Sequence, residues 1–149
     1  MKIINRKFNR DYNLVEKFEA GIALIGAEVK SVRQGGLKLD GSHIAFLKDG
    51  PYLINADIPK YKFAVIKDYD PKRSRRILLT NKEILRIKGK LTGSRGLTVA
   101  PVSCYNKGAL LKLEIALARG RKDLEKRKYD KKKTIARNQK KEAKEYIRG

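Results

Sequence analysis

Acid–base, nucleophilic and metal chemistry draw on histidines, thiols or grouped carboxylates, and this 149-residue chain has one His and one Cys. His43 lies between Ser42 and Ile44 at the start of an apolar run, with no evident nucleophile to pair with it. Cys104 stands beside Tyr105 in an apolar stretch, where a small core thiol is the expected role. Neither Cys-x-x-Cys nor His-Glu-x-x-His spacing occurs, so no metal or other cofactor is expected. Gly89-Lys90 and Gly93-Ser94 lack the upstream glycine of a phosphate-binding loop and read as a turn after a helix. The expectation is a protein without catalytic residues, not an enzyme.

Binding chemistry is plentiful by contrast. Asn5-Arg6-Lys7, Arg10 and Tyr12 combine cations, an amide and an aromatic ring, which can grip phosphates, bond base edges and stack on bases. Lys30 and Arg33 stand three apart on the exposed side of a short helix. Lys72-Arg73-Ser74-Arg75-Arg76 is a basic run in an expected loop, and Arg119-Gly120-Arg121-Lys122 follows directly on a strand. One such cluster reads as solvated surface. Together, on a chain with 37 Lys and Arg against 16 Asp and Glu and a formal net charge of +21, they demand a polyanionic partner.

A nucleic acid and an acidic membrane both meet that demand. The membrane fits less well, because no apolar run could serve as a signal peptide or span. The basic tail also has a thin apolar face, with Ile135 and Ile147 its main aliphatic anchors. One unpaired Cys and no leader suit a reducing, cytoplasmic setting.

The elements that must hold these groups are legible in the apolar spacing. Hydrophobic residues make up 41% of the chain, enough for a core. Over residues 12–24 the even positions Tyr12, Leu14, Phe18, Ala20, Ile22 and Leu24 are apolar, with Glu16 the exception, which predicts a long half-buried strand with a bulge or bend at Gly21. Ile25, Val29 and Val32 change to helical spacing, and Gly35-Gly36 stops that helix. Residues 44–47 and 52–58 flank Asp49-Gly50, a hairpin signal. Residues 59–76 read as polar and irregular. Thr80 and Glu83 form a capping box for a helix with the face Ile84, Ile87 and Leu91. Strands at 97–105 and 109–118 close the body, the second with Leu111, Leu113, Ile115 and Leu117 on one side.

About five strands and two or three peripheral helices predict a mainly β fold, an antiparallel barrel of the oligonucleotide-binding (OB) type over residues 1–118. Closure removes the sheet edges that would otherwise be exposed. Residues 119–149 hold 14 Lys and Arg against 5 Asp and Glu, with few apolar side chains. Ordering them costs roughly 1–2 kcal/mol of backbone entropy each, so this tail is expected to be disordered when free. From Ile135 onward it lacks Pro, and its apolar residues share one face, so it should become helical when a polyanion neutralises the other.

Ordered motifs then produce a resemblance spanning nearly the whole chain. They are Asn5-Arg6-Lys7 leading to Tyr12, Phe18-Glu19-Ala20-Gly21-Ile22, and Gly26-Ala27-Glu28-Val29-Lys30-Ser31-Val32-Arg33. The run from Asp70-Pro71 through Arg76 to Leu79, Lys82-Glu83-Ile84, and Ala118 through Arg127 complete the set. In order and spacing the chain resembles the SmpB family of SsrA-binding proteins, which accompany transfer-messenger RNA in bacteria. The resemblance implies an OB-type barrel that binds the tRNA-like domain of that RNA and delivers it to stalled ribosomes in trans-translation. It implies a tail that becomes helical in the empty message channel beyond the decoding centre.

Carried over by position, the RNA-binding set would be Asn5, Arg6, Tyr12, Glu19, Leu78 and Lys112, with Arg119, Arg121 and Lys122 nearby. Lys7, Lys30 and Arg33 join it on charge. The tail's ribosome contacts would come from Lys126, Arg127, Lys128, Lys131, Lys132, Lys133, Arg137, Lys140 and Lys141. Glu19 either accepts hydrogen bonds from base amino groups or orients Lys17 or Lys112. Tyr12 serves either stacking or the core. Lys112, on the non-core side of its strand, is a phosphate contact. A monomer is expected. A constitutive ribosomal RNA-binding protein and a non-specific polyanion coat remain the competing readings.

Overall fold

Strict alternation over 111–117 makes the strand around which the molecule is organised. In β7 (Leu110–Gly120) Leu111, Leu113, Ile115 and Leu117 are all buried on one side. The molecule is described here by a computed structural model covering the backbone of residues 1–148 and the side chains of residues 1–144. β7 pairs antiparallel with β2 (Tyr12–Ile22) on one edge and with β6 (Leu97–Lys107) on the other. The β6–β7 turn is tight because Gly108 adopts a φ of 63° that a side chain would resist.

The remaining strands are β1 (Lys2–Ile4), β3 (His43–Leu47), β4 (Gly50–Ile54) and β5 (Arg75–Leu78). Strand order is β1-β6-β3-β4-β5-β2-β7, and an additional pairing of β7 with β6 closes the ring. Six strands thus close an antiparallel barrel of OB type, with β1 laid along the outer half of β6. Its interior is filled by Leu53, Ile58, Ile77, Val99, Leu113 and Ile115 among others, each almost fully buried.

Among the described residues four helices surround the barrel: α1 (Phe8–Asp11), α2 (Gly26–Arg33), α3 (Asn81–Gly93) and α4 (Asp123–Arg148). In α3 the Thr80 hydroxyl accepts from the Glu83 backbone N–H at 3.2 Å, while the Thr80 N–H donates to the Glu83 carboxylate at 3.1 Å.

Several elements depart from the sequence reading. Seven strands replace the expected five: β1 is short, and β5 lies in a stretch read as irregular because its Arg75-Arg76 looks like a polar loop. In β2 a register shift between Leu14 and Glu16 puts Leu14 half out of the protein, against its expected inward position. On β7 the side opposite the leucines is not wholly polar. Ala116 and Ala118 are buried with Ala100 beneath Phe8, a second small core in which small residues admit α1.

The tail forms one helix, and its first turns belong to the body. No Gly or Pro interrupts 121–148, and Asp123 and Glu125 stand in the first turn, where acids favour helix initiation. Arg10 reaches Asp130 at 3.1 Å, Lys126 approaches Asp11 at 3.9 Å, and the Arg121 guanidinium lies 5.2 Å from the centre of the Tyr129 ring. Every residue from Lys131 to Lys144 is exposed, so helicity there rests on local propensity alone.

Candidate nucleic-acid interface

Cross-strand register gathers the central candidates. Leu78 of β5 stands opposite Gly21 of β2, Gly21 opposite Lys112 of β7, and Lys112 opposite Tyr105 of β6. These four positions form one row across the outside of the barrel. Gly21 makes the row close: a Cβ added there would lie 3.2 Å from that of Leu78, which remains exposed.

Glu19 lies two residues before Gly21 and therefore on the same face. Its carboxylate accepts from the Tyr105 hydroxyl and, at 3.0 Å, from the Lys107 ammonium. The Tyr105 bond, then that of Lys107, holds the Glu19 carboxyl below its ordinary range. Reciprocally, the bond to Glu19 and then burial push the Tyr105 hydroxyl up to about 12. Neither Lys17 nor Lys112 is the direct partner of Glu19. Lys17 pairs instead with Glu114 at 3.1 Å. An ionised carboxylate offers about four acceptor sites, so Glu19 keeps capacity for base N–H donors.

Tyr105 and Lys107 are functional candidates that the sequence reading missed. The one available signal was their spacing two apart at the outward end of an apolar strand. Their meeting with a residue more than eighty positions away is set by non-local pairing. Arg33 reaches the same end of the barrel, donating to the Ala109 carbonyl at 3.0 Å in the β6–β7 turn. Lys30, expected beside it, lies instead 5.5 Å from the centre of the Tyr61 ring.

A second basic group occupies the far end of the β2–β7 ladder, nine residues away and hence roughly 30 Å at ~3.3 Å per residue. Asn13 is opposite Arg119 there, and Tyr12 opposite Gly120. Arg119 donates to the Arg95 carbonyl at 2.9 Å, Arg121 to the Tyr12 carbonyl at 3.4 Å, and Lys7 and Lys122 are exposed. Arg121, Glu125, Lys128, Tyr129 and Lys132 line a groove of about 330 Å³ at the root of α4. Of the tail set, Arg127, Lys131, Lys133, Arg137, Lys140 and Lys141 are exposed along the helix beyond it.

Three sequence candidates sit elsewhere. Asn5 is 5% exposed, and its side-chain amide donates to the Pro101 carbonyl at 2.9 Å, so it anchors the chain entering α1 rather than facing a partner. Tyr12 is half-buried, with its ring 5.4 Å from that of Phe8, and burial followed by Asp11 raises its hydroxyl pKa. One side of the ring packs on Phe8 while the rest remains accessible. Arg6 lines a cleft of about 520 Å³ with Lys2, Lys38 and Asp40.

The basic run 72–76 also changes character. Arg75 is fully buried, and its guanidinium meets Glu28 at 2.6 Å, while Arg73 reaches the other Glu28 oxygen at 2.5 Å. Arg76 donates to the Asp49 carbonyl at 2.8 Å. Among the described residues no group of three His, Cys, Asp or Glu could hold a metal, and no helix is long and apolar enough to cross a membrane.

A closed OB-type barrel with cationic groups at both ends of one ladder, and a mixed apolar, cationic and acidic row between strands, defines a nucleic-acid-binding module. The family model described as SmpB protein matches residues 2–145, and the chain belongs to that family. An SsrA-binding protein of Thermosipho melanesiensis is 41% identical over the full length of both chains. That of Deinococcus radiodurans is 42% identical over 89% of this chain and 92% of its own. A solved chain described as "tmRNA-SmpB: a journey to the center of the bacterial ribosome" matches with a TM-score of 0.66. It is 39% identical and covers 82% of this chain and 85% of its own.

Proposed function

We propose that this protein is the RNA-binding adaptor of trans-translation: it binds the tRNA-like domain of transfer-messenger RNA and delivers it to stalled ribosomes. The observation that carries the reading is the row Leu78–Gly21–Lys112–Tyr105 beside a Glu19 held in place by two donors. A non-specific coat has no use for a fixed acid on a binding face. A folded RNA does, because base amino groups donate to carboxylates while phosphates do not. The names of the relatives, SsrA-binding protein, and the family membership point to the same RNA.

In this reading the barrel grips the RNA and the exposed stretch of α4 enters the ribosome, occupying the message channel left empty on a stalled message. In the free protein the exposed stretch 131–144 has no packing against the barrel to fix it, and it becomes ordered where RNA surrounds it. The protein acts without a catalytic group, as a monomer, in the cytoplasm.

Binding of a tRNA-like fragment and of a generic duplex, each across a salt series, tests this reading. A specific adaptor prefers the fragment by about 10³-fold or more at physiological salt. Equal affinities that collapse together as salt rises would refute it.

A further inference from the structure

The connection between β4 and β5 forms a closed loop with its own framework. The Ile58 N–H donates to the Pro71 carbonyl at 2.9 Å, and the Tyr69 hydroxyl to the Ile58 carbonyl at 2.7 Å, so the two ends of the loop meet. Buried Arg75 donates to the Ala56 and Pro71 carbonyls, both at 2.9 Å, and fastens the neck from beneath. The Ser31 hydroxyl adds a bond to the Pro59 carbonyl at 2.7 Å. This is an Ω-loop held by its ends, of a kind that often carries function.

Its tip does the opposite of what a solvated loop should do. Phe63 is 72% exposed and Val65 100% exposed, so apolar surface is presented to water at the tip. Tyr61 and Phe63 meet edge to face at 5.6 Å, and a turn from the Ala64 N–H to the Tyr61 carbonyl fixes their spacing. Lys30 lies 5.5 Å from the centre of the Tyr61 ring, and Lys62 5.6 Å from that of Phe63. Residues 60–67 include Lys60, Lys62 and Lys67 and no acid. An exposed Phe63 beside a half-buried Tyr61, flanked by cations with no carboxylate in residues 60–67, matches unpaired nucleobases and their phosphates. A base offers a face to stack on and its backbone neutralises the lysines.

We propose that the 60–67 tip is a second RNA contact, separate from the Glu19 row, which stacks Phe63 on an unpaired base. The proposal rests on the RNA-binding reading above but concerns a different surface. The chain has no Trp, so Phe63→Trp in the full-length protein places a single reporter at the tip. Its emission should be quenched to saturation by a single-stranded RNA decamer at physiological salt. Lys62→Ala in that background should weaken binding about fivefold, because it removes a cation that neutralises the phosphate beside the stacked base. The same-sequence duplex and polyglutamate should leave the emission unchanged.

Unchanged emission at decamer concentrations where a gel shift shows the protein bound would overturn the proposal. So would equal quenching by duplex or polyglutamate, or a blue shift with phosphatidylglycerol vesicles in place of an RNA response. Preference for the tRNA-like fragment, measured on the unsubstituted protein, is read separately. It can stand while the tip proposal falls.

Discussion

Glu28 and Arg75, forty-seven positions apart, form an ion pair with both side chains withdrawn from water. Glu28 opens α2, where its carboxylate also accepts from the Ile25 N–H at 3.1 Å, and Arg75 begins β5. The pair thus ties a helix, a strand and the neck of the Ω-loop to one point. Burial alone would raise the Glu28 carboxyl, but Arg73, the Ile25 N–H and Arg75 together hold it below its ordinary range. Removing one partner of such a pair strands the other charge inside the protein, a loss of about 3–5 kcal/mol. Glu28→Gln should therefore lower the melting temperature by about 10 °C or more. Arg73→Ala, at the half-exposed arm, should cost about 1 kcal/mol or less. Thermal unfolding by circular dichroism measures both, and an unchanged midpoint for Glu28→Gln would show that the pair is dispensable.

The pH dependence follows from the same groups. Glu28 lies below its ordinary value for the reasons above, and Glu16 does so because Lys90 and Arg86 bond to it, at 2.7 and 2.9 Å, against the opposing effect of burial. A carboxyl depressed on folding adds stability that is complete above its unfolded value, 4.5 for Glu, and fades as the pH falls through the folded one. The melting temperature should stay level from neutrality down to about pH 5 and decline below it. Glu28→Gln should show a shallower decline than the parent in the same buffer series. Parallel curves would mean that Glu28 takes no part in the acid transition.

Legibility of this fold followed the distance over which each interaction acts. The α3 capping box, the glycines that stop α2 and the leucine alternation of β7 are local and readable from spacing. β5 was hidden because burial of Arg75 depends on Glu28, and no window of neighbouring residues reveals a charge matched elsewhere. Leu14 misled because the bulge that turns it outward belongs to the pairing with β7, not to β2 itself. At the site, Glu19 and Lys112 came from the family resemblance, and strand register alone placed only Lys112 on the outer side of β7. The partners of Glu19 did not, since Tyr105 and Lys107 reach it only after β6 and β7 have paired. Asn5 has the chemistry of an RNA contact, but its amide is spent on the Pro101 carbonyl inside the protein, while the half-buried Tyr12 ring packs against Phe8.

Glu19 offers a test in which electrostatics and specific recognition give opposite signs. Glu19→Ala makes the protein more basic, which by charge alone strengthens RNA binding. It also frees Tyr105 and Lys107 and removes the acceptor, so affinity for the tRNA-like fragment should fall by about tenfold while affinity for a generic duplex rises slightly. Filter binding with both RNAs reads the two effects. A gain with both would mean that Glu19 merely opposes phosphate. Carbon-13 NMR of the tyrosines supplies a structural control. The Tyr105 hydroxyl, held up to about 12, should titrate nearer its ordinary value of 10.0 in Glu19→Gln.

On the proposed reading, the boundary between gripping and delivery falls where α4 leaves the body, near Asp130. Up to Asp130 the helix is fastened to the body through Arg10, Asp11 and Arg121, but exposed ion pairs of this kind are worth only about 0–1 kcal/mol each. From Lys131 onward the described side chains are all exposed, so nothing in the barrel depends on them. A chain ending at Asp130 should keep its melting temperature within about 2 °C, since losing exposed helix changes few buried contacts. It should bind the tRNA-like fragment within about threefold of the parent, because the specific contacts lie on the barrel while the distal lysines add mainly salt-sensitive attraction. Peptide tagging on stalled ribosomes should nevertheless be abolished, because the lost segment is the part free to enter the ribosome. Tagging in a reconstituted translation system, run beside fragment binding, distinguishes the steps. Normal tagging by the shortened chain would place delivery in the barrel and remove the role assigned to residues 131–149.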